Sequence, residues 1–205
     1  ASYTHLFVSF CTIIGYIFLL THNVHTPITY FIISIYSFST LFLFIASGIF
    51  HALKTQESAV NIWRKLDHIG IFLMIAGTYT PICFLYLNTI WAIIILSAQW
   101  SLVFFGIILK IVQLNTKRWI TTSIYLLQGW MVVLPFYSIV QVMPSILIIL
   151  MAAGGVIYTI GAIIYIRQLP NPNPNLFGFH EIFHVLILLG AFLHYFVIFF
   201  GMKDF

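Results

Sequence analysis

The chain is short of charge. Of its 205 residues, four are acidic and eight are Lys or Arg, so charged side chains make up 6%. A soluble domain carries roughly 25%, and a chain this sparse cannot cover a water-facing surface. The same scarcity excludes nucleic acid as a partner, because the positive charges are dispersed and no polar base-reading face accompanies them. Cysteine is nearly absent, with only Cys11 and Cys83. At about 1.5 Å of rise per residue they fall about 9 Å and 24 Å into their apolar runs. That difference in depth argues against a disulfide and for small apolar packing at both. A basic n-region and an A-x-A-like site are also missing from the first run, which therefore reads as a helix and not as a signal peptide.

Hydrophobicity takes the place of charge: 62% of residues are apolar and the mean hydropathy is +1.09. Seven runs, near residues 4–21, 28–53, 67–87, 89–112, 119–140, 144–167 and 177–202, approach or exceed the roughly 20 residues that cross a bilayer. Breaks are marked by Thr26-Pro27, Asn88 and Met143-Pro144. Pro170-Asn171-Pro172-Asn173-Pro174 reads as an extended connector, since each proline disfavours helix in the residue before it. The expectation is an all-α polytopic membrane protein, a seven-transmembrane-helix bundle forming one integral membrane domain over residues 1–205.

Basic residues orient that weave. Lys54, Arg64, Lys65, Lys110, Lys117, Arg118 and Arg167 fall on the side of the N-terminus, and Lys203 alone on the other. Positive residues stay cytoplasmic, so the N-terminus is expected inside and the C-terminus outside, in the plasma (inner) membrane. The net charge of +4 then reports topology and contact with anionic lipid.

Against this apolar background the histidines stand out. His180-Glu181-Ile182-Phe183-His184 sets two imidazoles four residues apart, about 40° off a full helical turn, so both rings point the same way. Ser47 and His51 repeat the spacing near the end of the second run, and Asp67 opens the third. Ionisable groups inside membrane segments are costly and signal function by default. In the expected topology His51, Asp67, His180 and His184 share one depth on the cytoplasmic side, with His5 at the same level. Three imidazoles and a carboxylate suit a catalytic zinc site with an open position for water.

These residues resemble the hemolysin III branch of the progestin and adipoQ receptor family. The likeness rests on Ser47-x-x-x-His51, Asp67 at a helix start and His180-x-x-x-His184. It extends to Thr4-His5, to Asp67-His68-Ile69-Gly70-Ile71-Phe72 followed by Gly77-Thr78-Tyr79-Thr80-Pro81, and to the stretch from Tyr165 to His194. It covers nearly the whole chain. The resemblance implies a seven-helix fold and Zn2+ held by His51, His180 and His184. It further implies a water between that ion and Asp67, with Ser47 in support, and relatives that point to hydrolysis of a lipid amide.

Each residue has a plainer reading. His180 and His184 read alone are interfacial histidines meeting headgroups, and His51 alone would be the same. Asp67 at a helix start would cap it, worth about 0.3–1 kcal/mol, and capping is compatible with holding a water. His68, about 100° round from Asp67, is expected to be structural, and His194 to pack in the core. His5 divides evenly between supporting the site and lying at the interface. His22 and His25 belong to the outer loop. The aromatic residues, 18% of the chain, are core and lipid contact.

Three chemistries compete for the cluster. The string His-Glu-x-x-His makes a glutamate the base in zinc proteases, but no further ligand follows at a familiar spacing, Gly190 standing six residues after His184, and His51 and Asp67 would lack a purpose. Haem between facing histidines leaves Asp67 unexplained. A zinc hydrolase with a membrane lipid amide or ester as substrate is the favoured reading. Its rival is a non-catalytic receptor-like, membrane-homeostasis or cytolysis-related protein in which zinc staples helices together. Direct pore formation is disfavoured, because no run carries a continuous polar stripe.

Overall fold

Backbone that meets lipid must satisfy its own N–H and C=O groups, and a helix does so within one segment. The protein's structure, a computed structural model, describes residues 2–22, 26–53, 57–112, 116–173 and 177–204. Helices α1 (Ser2–His22), α2 (Pro27–Ala52), α3 (Glu57–Tyr86) and α4 (Thr89–Val112) come first in the chain. Then follow α5 (Arg118–Gly129), a 3-10 turn (Trp130–Val133), α6 (Phe136–Val142), α7 (Ser145–Arg167) and α8 (Phe179–Gly201). The protein is an all-α polytopic membrane protein, and each of the seven expected runs is helical. Among the described residues α2, Ile62–Tyr86 of α3, α4, α7 and α8 are each long and apolar enough to span a bilayer. The described apolar part of α1, Val8–His22, is shorter.

Two elements depart from the expectation. The third helix starts at Glu57, ten residues before the apolar run, because nothing between Glu57 and Leu66 breaks a helix and polarity alone does not end one. Asp67 is therefore inside α3 and is not its cap. The fifth run is not one rod: Arg118–Val133 and Phe136–Val142 meet at 52°. Pro135 lies at the break, where it removes a backbone donor and disfavours helix in Leu134.

The chain divides into two compact units, residues 1–115 with 202–205, and residues 116–201. In the first, α2 packs on α1 and α3, and α3 on α4. Thr26 caps α2, its hydroxyl accepting from Thr29 N at 3.2 Å while Thr26 N donates to Thr29 Oγ1 at 2.9 Å, and Pro27 occupies the first turn. Lipid gives helices no hydrophobic reason to associate, so close backbone approach has to supply contact. Gly77 provides it: a Cβ there would come within 2.6 Å of Ser39 Cβ. Gly106 likewise lies on the ring of Phe72, which is wholly buried. Buried hydroxyls bond back to their own helices, Thr40 to Tyr36 O at 2.9 Å, Thr78 to Met74 O at 2.8 Å and Thr80 to Ala76 O at 2.9 Å.

In the second unit α7 packs on α8 and α5 on α7. Two glycines make reciprocal notches: Gly154 receives the ring of His194, and Gly190 that of Tyr158. His194 Nδ1 bonds Gly190 O at 2.9 Å, and the ring stacks on Tyr158 at 5.4 Å, the packing role expected of it. Asn173, in the proline-rich connector, and Phe177 exchange backbone bonds of 2.8 and 3.2 Å. Of the cysteines, Cys83 is buried as expected, while Cys11 is exposed on α1. An apolar outer face in a membrane helix is as acceptable as an inner one, so hydropathy alone could not place it.

Candidate metal centre

Each unit contributes a polar cluster. In the first, Ser47 is 2% exposed, and its hydroxyl donates to the Asp67 carboxylate across the α2–α3 contact. That bond ties the acid on α3 to α2. His51 lies one turn beyond Ser47 in the last turn of α2, half-buried, its ring 5.1 Å from that of Phe50. The next residue after Asp67, His68, is half-buried on a different face of α3 and shares its surroundings with Arg64 and Lys110. The side chain of His5 and all of His25 lie outside the described residues. His22 bonds Thr21 at 2.8 Å and is exposed.

In the second unit the pitch of α8 brings the imidazoles of His180 and His184 together. Their Nε2 atoms are 2.9 Å apart and the rings stand at 86° with centroids 4.4 Å apart. His184 is buried and His180 half-buried. Two nitrogens facing one another can share a proton or a metal. A tetrahedral ion about 2.0–2.1 Å from each would hold them about 3.3–3.4 Å apart, so a small rotamer adjustment of roughly 0.4 Å suffices and the pair fits zinc.

Glu181 has a different occupation. Its Oε2 accepts from Gly178 N at 3.0 Å, the reach back from the third helical position that closes one side of a capping box. Asn171 Oδ1 accepts from Phe179 N at 3.1 Å, so α8 begins with its first donors satisfied just ahead of His180. The acid inside the His-Glu-x-x-His string is thus held on the helix start.

Two basic residues escaped the sequence reading. Lys110 is 1% exposed and belongs to the buried stripe of α4 with Gln99, Val103 and Gly106. Their spacing of three and four could have placed it there. Arg118 stacks on Tyr165, a contact between residues 47 apart in the chain that no local pattern announces.

An apolar helical membrane protein with imidazoles on one helix and a hydroxyl-bonded carboxylate on another is a defined class of architecture. The chain belongs to the Haemolysin-III related family, which it matches over residues 1–195. It is 29% identical over 168 residues to a Hemolysin-3 homolog of Bacillus subtilis, covering 82% of this chain and 75% of that protein. It is 28% identical to Hemolysin-3 of Bacillus cereus, covering 82% and 73%. An ADIPOR-like receptor of Saccharomyces cerevisiae is 27% identical, covering 73% of this chain and 53% of the receptor.

Proposed function

We propose that the protein is a zinc-dependent hydrolase of an amide or ester in a membrane lipid, with His51, His180 and His184 as ligands and Asp67 as general base. The observation that carries the reading is the facing Nε2 pair of His180 and His184 on α8. In support, the likeness to the family through Ser47-x-x-x-His51 and His180-x-x-x-His184 implies His51 as a third imidazole for the same ion. Zinc, when bound, supplies a polarised carbonyl and a water acidic enough to ionise near neutral pH. Asp67 would serve as the proton acceptor for such a water, and the Ser47 hydroxyl, bonded to its carboxylate, would orient it. His180 and His184 would hold the ion, offering it the Nε2 atoms that face one another and leaving Nδ1 to carry their protons. Apolar walls suit a substrate with a long acyl tail.

The reading includes a plasma-membrane location with the N-terminus cytoplasmic, which places the site on the cytoplasmic side. Metal analysis of the purified protein followed by a lipid-hydrolysis screen tests it: about one zinc per chain and turnover lost in Asp67→Asn are expected. A second reading has one observation in its favour, the similarity to proteins named as receptors. There the zinc is structural, and Asp67→Asn would retain zinc and full biological activity.

A further inference from the structure

Arg118 opens α5 and is half-buried. Its guanidinium carbon lies 4.7 Å from the centroid of Tyr165 on α7 and 5.5 Å from that of Phe179 on α8. Nη1 donates to Tyr165 O at 3.3 Å. Guanidinium carries five N–H donors, and among the described residues this is its one hydrogen bond. Aromatic rings engage the faces of the ion and leave the donors on its edge uncommitted. The one carboxylate side chain of the second unit, Glu181, is turned onto Gly178 N. A fixed fork with free edge donors matches the oxygens of a phosphate or carboxylate, two at a time.

The setting tells which anion. Trp119, next in the chain, is 56% exposed, Leu169 is 64% and Phe177 is 47% exposed, and Lys117 is exposed as well. An indole and apolar side chains open to the surroundings beside a fixed cation are the make-up of a bilayer's headgroup region. There a positive group attracts acidic lipid. We propose that Arg118, clamped between Tyr165 and Phe179, is a binding site for the anionic headgroup of a membrane lipid. It concerns lipid recognition and holds whether or not the histidine site turns a lipid over. The same clamp ties the start of α5 to the end of α7 and the start of α8, next to His180, whose ring is 6.4 Å from that of Tyr165.

The test uses the full chain in phosphatidylcholine nanodiscs with increasing phosphatidylglycerol, lipid retention being read by native mass spectrometry and zinc content in parallel. The wild type should retain phosphatidylglycerol preferentially. Arg118→Gln should reduce that preference about tenfold or more, the worth of charged hydrogen bonds, with zinc unchanged, while Lys117→Gln should leave the preference as it was. Undiminished preference in Arg118→Gln, or an equal loss in Lys117→Gln, would overturn the assignment. Displacement of the lipid by millimolar inorganic phosphate would replace a lipid site by a site for a soluble anion. Arginine-selective labelling by phenylglyoxal reads the unmutated protein, should the variant not fold. Phosphatidylglycerol should shield Arg118 and phosphatidylcholine should not, and equal labelling in both lipids contradicts the proposal.

Discussion

On α8, two imidazoles stand side by side by the pitch of a single helix, whereas Ser47 meets Asp67 only because α2 and α3 lie in one register. The first cluster needs no partner: four residues of helix put His180 and His184 Nε2 2.9 Å apart. The second is tertiary and depends on what lets the helices approach, Gly70 against Leu43 and Gly77 against Ser39. A pair made by pitch survives small shifts of neighbouring helices. A pair made by register is lost with them, so the two clusters should respond differently to the same kinds of damage.

The largest effect is expected on the α8 side. His180→Ala or His184→Ala removes one of two facing nitrogens, and each should abolish most metal retention, read by elemental analysis of purified protein. Zinc that stayed stoichiometric in both variants would remove α8 from the site. On the α2–α3 side, Asp67→Asn keeps the shape and removes basicity. Hydrolysis should fall about 10²–10⁴-fold, the usual contribution of a general base, with zinc retained.

Register itself can be broken without touching either cluster. Gly77→Ala puts a Cβ into Ser39 and should cost about 1–3 kcal/mol of stability, measured by denaturation in detergent. Ser39→Gly in the same chain should recover most of it. Failure of the second substitution to help would mean that the approach is limited elsewhere. The smallest effect belongs to Glu181→Gln. The amide oxygen still accepts from Gly178 N, so the loss is confined to a charge at a helix start, about 0.3–1 kcal/mol, with hydrolysis nearly intact. Activity destroyed by Glu181→Gln and spared by Asp67→Asn would hand the base role to the His-Glu-x-x-His glutamate.

The difference between the clusters also explains what could be read in the sequence. Seven apolar runs gave the helices and their approximate bounds, because length and hydropathy are local properties. The His180–His184 pair was equally visible, since helical pitch is known in advance. Asp67 was legible as a residue of interest but misplaced at a helix start, because a more polar helical stretch from Glu57 to Leu66, roughly three turns long, prolongs α3 beyond its apolar part. The bend at Pro135 was there to be seen, and the continuous apolar character of 119–140 hid it. Burial of Lys110 and the clamp on Arg118 depend on contacts between separate helices. The run containing Cys11 gave no sign of which face meets lipid. Residues joined by register across helices need the fold before they can be found.

The central claim is that His51 completes the metal site begun by His180 and His184. Zinc per chain in purified wild type and in His51→Ala, prepared side by side and checked for equal folding, tests it most directly. The account predicts about one zinc in the wild type and a small fraction of that in His51→Ala. A full zinc in the folded His51→Ala protein would contradict it.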